Sequence, residues 1–135
     1  MTIKEIKTKD LKPYENNPRI NDAAVEAVAE SIREFGFKVP IVIDTNHVIV
    51  AGHTRAKAAE LLGLEKVPCV IADDLTEEKI RAFRLADNKT AEIAEWDYNL
   101  LEMELQSLHG LIDMGRFGFD EFEGELQADS EEDET

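Results

Sequence analysis

Residues 48–59 constrain the fold more than any other stretch, because they read VIVAGHTRAKAA, an apolar segment followed by one glycine and an alanine-rich segment. β-Branched residues favour strands and alanine favours helices, so Gly52 stands where a strand turns into a helix. Amide groups at a helix start attract anions, and Arg55 in the first turn adds a bidentate phosphate partner. The stretch therefore predicts either a phosphate site or an ordinary strand-to-helix turn with a solvated arginine, since one glycine and one arginine do not decide between them.

The composition is that of a single soluble domain with its own core: 135 residues, of which 43% are hydrophobic and 33% charged. No apolar run approaches the roughly 20 residues that a membrane helix needs, and the first ten residues contain no apolar segment typical of a secretory signal. The single cysteine, Cys69, excludes an internal disulfide and a cysteine-based zinc cluster. These features predict a cytoplasmic protein without a membrane partner.

Negative charge is concentrated at the end of the sequence. Residues 120–135 contain nine of the 30 acidic residues and none of the 15 basic ones, which leaves residues 1–119 with 21 acids against 15 bases, a net of −6. Residues 123–135 are accordingly predicted to be an acidic disordered tail or linker. The balance gives no support to broad duplex binding, which needs a basic face. The alternative of a local basic patch is left open, because four lysines cluster near the start of the sequence: Lys4, Lys7, Lys9 and Lys12.

Hydrophobic patterning predicts four strands and four helices. The strands are expected at residues 2–6, 39–43, 47–50 and 67–71, with the middle two forming a hairpin. The first helix is expected to begin at a cap formed by Asn21 or Asp22 and to end at Gly36. The other helices are expected from Gly52 to about 62, from Thr76 to 88 or a little beyond, and after Asp97, with Thr76 and Asp97 as caps. The residues expected on buried helix faces are Val25, Val28, Ala29, Ile32, Phe35, Leu61, Leu62, Ile80, Phe83, Ala86, Leu101, Leu105 and Leu108.

Histidine and cysteine give few signals of catalysis. His53 beside the turn would hydrogen-bond a phosphate, donate a proton, or simply be an exposed residue at a helix start. His47 and His109 have no partner at metal-ligand spacing, and Cys69 within an apolar strand is expected to be a buried small hydrophobe. The sequence contains no H-E-x-x-H, EF-hand, P-loop or G-x-G-x-x-G pattern, which argues against a metal held by protein ligands alone and against a standard P-loop or dinucleotide-binding fold.

Asp87 and Asn88 are a second candidate feature. They are expected at the end of the third helix, and both carry the oxygen ligands that Mg²⁺ prefers. If this helix end faces the Gly52 turn, the pair could hold magnesium on a bound triphosphate. The alternative is ordinary polarity at a helix C-terminus.

The order of these motifs resembles the ParB N-terminal domain of the ParB/sulfiredoxin superfamily, a domain often labelled ParB-like nuclease. The resemblance covers roughly residues 3–95 and depends on the combination of motifs rather than on any single one. The matching motifs are Leu11-Lys12-Pro13, Asn17-Pro18-Arg19, Ser31-Ile32, Gly36, Pro40-Ile41, Gly52-His53-Thr54-Arg55, Ala58 and Val67-Pro68.

The resemblance implies a compact α+β domain, with a small mixed sheet flanked by helices, that binds CTP or another NTP together with Mg²⁺. Asp87 and Asn88 would approach the metal through the bound nucleotide. No catalytic residue is assigned. The residues that it implies for phosphate and nucleotide binding are Gly52, His53, Thr54, Arg55, Ala58, Arg19, Pro40 and Ile41.

The sequence departs from the family pattern at charged positions. The family's phosphate box reads G-E-R-R-x-R-A, and here Thr54 replaces its first arginine and Lys57 its third. In the second box, E-N-x-x-R, Ala91 stands in place of the arginine. Each charge-assisted contact is worth roughly 1.5–3 kcal/mol, so either a lower affinity for the nucleotide or a different nucleotide is expected. Sulfiredoxins carry a catalytic cysteine where this chain has His53, which argues against that activity.

The resemblance implies a nucleotide-binding, DNA-associated module acting in DNA partition or modification. Its partners would be the nucleotide, DNA through an attached domain or a partner protein, and a second copy in a homodimer. The ending Gly118-Phe119-Asp120 resembles modules placed before phage and bacterial DNA methyltransferase domains. The alternatives are nucleotide hydrolysis, a nuclease or a small-molecule kinase using the same pocket, and a non-catalytic methyltransferase adaptor. The predicted domains are 1–95 (ParB-like), 96–122 (helical extension) and 123–135 (tail).

Overall fold

The computed structural model describes residues 2–17 and 22–119, which fall into two compact units that separate between Ala94 and Glu95. In the first unit, short 3₁₀ turns at Thr8–Asp10 and Asp22–Ala24 interrupt a succession of strands and helices. Its elements are β1 (Ile3–Lys7), α1 (Val25–Phe35), β2 (Ile41–Ile43), β3 (Ile49–Ala51), α2 (His53–Leu61), β4 (Lys66–Ile71) and α3 (Glu77–Ile93).

The four strands form one mixed sheet in the order β1-β4-β2-β3. β4 pairs antiparallel with β1 and parallel with β2, where Ile41 lies opposite Cys69, and β2 forms an antiparallel hairpin with β3. A small mixed sheet flanked by helices confirms the predicted α+β class. The core between sheet and helices is built from Ile41, Ile43, Ile49, Ala59, Val67 and Cys69.

The hairpin delivers the chain into the Gly52 turn. The Asp44 carboxylate accepts hydrogen bonds from the backbone N–H groups of Asn46 and Val48, at 2.8 and 2.9 Å, which closes the turn between β2 and β3. β3 then leads to Gly52 at the N-cap of α2 with φ of 104°. The predicted sequence of strand, glycine turn and helix is confirmed.

Three large side chains expected in the core are exposed instead. Phe35 and Leu61 are 45% and 53% exposed, and each is the last residue of its helix. α1 packs on α2, and the residues buried on these helices are small alanines, among them Ala29 and Ala58. Phe83 is 40% exposed, since the inward face of α3 is occupied by the next residue, Arg84.

α3 begins as predicted and runs further than its expected end. Thr76 caps it by accepting a hydrogen bond from the Lys79 N–H at 3.2 Å, which confirms the predicted cap. No glycine or proline interrupts residues 77–93, so the helix continues to Ile93. Asp87 and Asn88 therefore lie in the middle of the helix, and their placement at its C-terminus was wrong.

The second unit is organised by α4 (Tyr98–Leu108). The Asp97 side chain accepts a hydrogen bond from the Leu100 N–H at 3.2 Å, which confirms the predicted cap. Leu101 and Leu105 are buried against Met114 and Phe119, and the rings of Trp96 and Phe119 meet edge to face at 5.9 Å. Phe122 and the predicted acidic tail, 123–135, lie outside the described residues. Among the helices described, none combines the length and the apolar character needed to cross a bilayer.

Cys69 is a packing residue. Its side chain is fully buried in β4, and burial, with a contribution from Glu5, raises the pKa of its thiol to about 11. A buried thiol that resists ionisation is a poor nucleophile, in agreement with its interpretation as a small hydrophobe.

Candidate phosphate site at the Gly52 turn

A cavity of about 250 Å³ opens at the start of α2. Its walls are the end of β3, the first turn of α2, the middle of α3 and Asn17. The structure thus brings Gly52, His53, Thr54 and Arg55 to the same cavity as Asp87, Asn88 and Ala91. The Gly52 turn and the Asp87–Asn88 pair, more than 30 residues apart in the sequence, therefore line the same cavity.

Gly52 is required by geometry. Its φ of 104° lies in the region that favours glycine, and a Cβ at this position would stand 3.0 Å from Arg55 Nη2 and 3.3 Å from Ile41 Cγ1. The first intrahelical bond of α2 runs from the Ala56 N–H to the Gly52 carbonyl, so the amides before Ala56 have no acceptor within the helix. The turn therefore supplies free donors together with the positive end of a helix dipole.

Arg55 adds a desolvated cation. Its Nη2 donates to the Pro40 carbonyl at 3.1 Å, which folds the guanidinium back over the turn. Its Nε is buried without a hydrogen-bond partner among the described residues. Burial lowers the pKa of Arg55, and the nearby Asp87 carboxylate opposes that shift. An unpaired buried guanidinium donor beside a cavity favours an anionic ligand, since an anion would satisfy it.

The remaining predicted nucleotide-binding residues lie behind the cavity or beyond the described chain. Pro40 positions Arg55, Ile41 lies beneath the Gly52 turn, and Ala58 is fully buried on α2; none of the three lines the cavity. Arg19 lies outside the described residues, and Asn17, two positions earlier, lines the cavity.

His53 is held as a hydrogen-bond acceptor. Its Nε2 accepts the Tyr14 backbone N–H at 3.2 Å, which requires an unprotonated Nε2 and places the proton of the neutral ring on Nδ1. Burial lowers the pKa of His53, and the positive charges of Arg84 and Lys57 lower it further. In this arrangement His53 joins the loop at Tyr14 to the start of α2.

Arg84 is a buried residue near the site that sequence reasoning missed, although it does not itself line the cavity. It is only 4% exposed, its guanidinium lies 3.6 Å from the centre of the Tyr14 ring, and its Nη2 donates to the Ile49 carbonyl at 3.1 Å. Burial lowers its pKa, an effect opposed by Tyr14 and Asp44. The available signal was helical spacing, because Ile80, Arg84 and Asn88 recur at every fourth residue and share one face.

Replacement of Arg84 by alanine is expected to lower the free energy of unfolding by about 1–3 kcal/mol, because the buried Ile49 carbonyl loses its donor and Tyr14 loses its cation. The matched control is Arg81→Ala on the same helix, where the side chain is exposed and a change within about 0.5 kcal/mol is expected. Urea unfolding of both variants measures the difference, and equal effects would contradict a buried structural role for Arg84.

The structure thus combines an α+β domain with a cavity at a glycine turn. The family model of the ParB N-terminal domain matches residues 1–89. The chain therefore belongs to the ParB N-terminal domain family, and the resemblance expected from its motifs is confirmed.

Two relatives differ in how much of their own length the match spans. It is 39% identical over 71 residues to the ParB-like nuclease domain-containing protein YnaK of Escherichia coli (strain K12), covering 52% of this chain and 82% of YnaK. It is 35% identical over 92 residues to stage 0 sporulation protein J of Bacillus subtilis (strain 168), covering 64% of this chain. That match spans only 32% of the sporulation protein, about a third of its length.

Two solved structures share the fold. The C-terminally truncated chromosome-partitioning protein ParB from Caulobacter crescentus, complexed with CTP-gamma-S, aligns with a TM-score of 0.68 and 23% identity over 82% of this chain and 64% of that one. Sulfiredoxin from Arabidopsis thaliana aligns with a TM-score of 0.51 and 28% identity over 62% of this chain and 97% of that one. These likenesses agree with the mixed α+β architecture of the ParB/sulfiredoxin superfamily.

Proposed function

We propose that this chain is a nucleotide-binding module that acts in DNA partition or modification and holds the phosphates of CTP or another NTP at the Gly52 turn. The observation that carries the proposal is Arg55, a half-buried cation whose Nε is buried and has no described partner, beside the free amides that begin α2. The nucleotide complex of the Caulobacter ParB gives CTP priority among candidates, while the case for an anion rests on the residues of this chain.

The dimensions of the cavity suit the phosphate end of a nucleotide. Its volume of about 250 Å³ is smaller than the roughly 300–1,000 Å³ of pockets that enclose a whole drug-sized ligand. The phosphates would therefore occupy the cavity, with the base beyond it. Asp87 and Asn88 on α3 lie across the same cavity from the turn, where they would approach Mg²⁺ carried by the phosphates.

A metal ion held jointly by the nucleotide phosphates and the protein is favoured over one held by protein side chains alone. Within the described part of the chain, no group of three or more His, Cys, Asp or Glu side chains could hold a metal ion. Asp87 is the one carboxylate among the described residues that line the cavity. A nuclease that uses metal-bound water normally needs several converging acids, so the arrangement favours binding over phosphodiester cleavage.

Calorimetric titration of the full chain with CTP, ATP and GTP, each with Mg²⁺, tests the proposal. At least one nucleotide is expected to saturate the chain, and inorganic triphosphate is expected to compete because phosphate contacts dominate. Omission of Mg²⁺ should weaken binding, since the phosphate charge would then face Asp87 uncompensated. Absence of heat with all three nucleotides up to millimolar concentration would refute nucleotide binding.

Restoring an arginine at position 91 is expected to strengthen nucleotide binding. Ala91 is exposed, lines the cavity and occupies the arginine position of the family's second box. A new charge-assisted contact worth roughly 1.5–3 kcal/mol corresponds to an increase of about 10- to 150-fold in affinity. The control is Ala86→Arg, exposed on the same helix but outside the cavity lining, and an equal gain there would show that general charge, not the site, is responsible.

A further inference from the structure

Three side chains connect separate segments beside the phosphate site, and we refer to Tyr14, His53 and Arg84 as the latch. The Tyr14 N–H donates to His53 Nε2 at 3.2 Å, and the Arg84 guanidinium lies 3.6 Å from the centre of the Tyr14 ring. Arg84 also donates to the carbonyl of Ile49 in β3, the strand that leads into the Gly52 turn. The latch therefore joins the loop after β1 to β3, α2 and α3.

The latch fixes a segment that belongs to the cavity. Lys12 is tied to the hairpin, since its N–H donates to the His47 carbonyl at 2.9 Å and its carbonyl accepts the Ile49 N–H at 2.8 Å. Tyr14 is the next residue of this loop with a described bond to another element. Asn17, which lines the cavity, follows three residues later, so the chain confines it to within about 11 Å of Tyr14.

We propose that His53 is a positioning residue: its neutral imidazole latches the 13–17 loop onto the phosphate site, and protonation releases that loop and weakens ligand binding. This inference rests on the proposed function for its effect on binding, while the latch itself is independent of any ligand. The imidazolium ion carries N–H on both ring nitrogens, so it cannot accept the Tyr14 N–H. Protonation of His53 therefore removes one of the two described contacts that hold Tyr14, while the Arg84 guanidinium still lies against its ring.

The charges around His53 oppose its protonation. The cations Lys57 and Arg55 lie on α2 and Arg84 lies on α3, while the described acid lining the cavity is Asp87 on α3. On the hairpin turn, Asp44 acts on Arg84. Burial, and after it the charges of Arg84 and Lys57, hold the pKa of His53 below its ordinary value of 6.5.

The lowered pKa fixes the sign of the pH dependence. The stabilisation from neutral His53 is fully present above pH 6.5, the ordinary value, and is lost as the pH falls through the lower pKa of the folded state. Binding should weaken in the same range. A histidine that donated to phosphate would behave in the opposite way, because protonation would add a charge-assisted contact and strengthen binding.

The direct measurement is ¹⁵N NMR of the imidazole in the full chain, together with hydrogen exchange of the Tyr14 amide. At pH 7.5 we expect His53 to carry its proton on Nδ1 and the Tyr14 amide to be protected. Both signatures should disappear together as His53 titrates below pH 6.5. A proton on Nε2 at pH 7.5, or protection of Tyr14 that survives protonation of His53, would overturn the latch whether or not a nucleotide binds.

The binding measurement compares the wild-type chain with His53→Gln and with the control His109→Gln, which lies in the other unit. Between pH 7.5 and 5 the wild type and the control are expected to lose about 2- to 10-fold more affinity than His53→Gln, as one hydrogen bond implies. Affinity that rises at low pH only when His53 is present would assign it as a phosphate donor. Failure of all nucleotides to bind would refute the proposed function, and the NMR and exchange results would still decide the latch.

Discussion

Alanine at position 55 is expected to weaken nucleotide binding by about 10- to 150-fold, which is the loss of one charge-assisted contact worth roughly 1.5–3 kcal/mol. The orientation of Arg55 is fixed before a ligand binds, because its Nη2 donates to the Pro40 carbonyl. Its Nε is buried without a described partner and is available to an anion. Removing the side chain therefore removes a preoriented donor as well as a charge. Titration with Mg²⁺ and the nucleotide that binds the wild type measures the effect.

Two further variants make this result interpretable. Arg55→Lys keeps the charge but not the planar guanidinium, so we expect intermediate affinity. Arg81→Ala removes an arginine that is exposed on α3 and does not line the cavity, and it should leave affinity within about twofold of the wild type. Unfolding in urea shows whether the loss of the Pro40 contact alters the fold. Binding by a folded Arg55→Ala chain at wild-type affinity would remove Arg55 from the site.

Much of the fold could be predicted because its signals are local. The strand, glycine turn and helix at residues 48–59 follow from β-branched residues, a glycine and alanines that succeed one another in sequence. The caps at Thr76 and Asp97 depend on side chains that bond to amides three residues ahead. In each case the residue and its consequence lie within one helical turn, so no tertiary information is needed.

The latch could not be predicted because its contacts join distant segments. Tyr14 and His53 are 39 residues apart, and Arg84 reaches Ile49 across 35 residues. The apolar pattern predicted Ile80, Phe83 and Ala86 as the inward face of α3, but Phe83 and Ala86 are exposed. A charged side chain can occupy the inward face when an aromatic ring and a carbonyl receive it, as Arg84 does. Apolar pattern alone cannot reveal such partners.

The positions that depart from the family pattern differ in whether they line the cavity. Thr54 and Ala91 both line the cavity, whereas Lys57 does not. The two uncharged replacements therefore concentrate the loss of positive charge where phosphates would lie, which leaves Arg55 as the described arginine of the lining. The sequence already shows that Thr54 and Ala91 lack the positive charge that Lys57 keeps, and the structure adds that both line the cavity, which explains why Arg55 should carry so large a share.

Substituting alanine for Gly52 is expected to abolish most nucleotide affinity, with Gly63→Ala as its matched control. Both glycines have positive φ, 104° and 71°, so each substitution should cost about 1–2 kcal/mol of stability through backbone strain. At Gly63 a Cβ would meet nothing within 4 Å. At Gly52 it would meet Arg55 Nη2 at 3.0 Å and Ile41 Cγ1 at 3.3 Å, and Ile41 is fully buried in the core.

The guanidinium should yield to the new methyl group, because the end of a flexible side chain moves more easily than a packed core residue. Arg55 would then leave the Pro40 carbonyl and the position from which its Nε faces an anion. We therefore expect Gly52→Ala to bind nucleotide at least about tenfold more weakly, as loss of one charge-assisted contact implies, and Gly63→Ala to bind within about twofold of the wild type. Urea unfolding and calorimetric titration of both variants separate strain from site geometry. Equal losses of affinity in the two variants would show that backbone strain alone, and not the close approach at Gly52, controls binding.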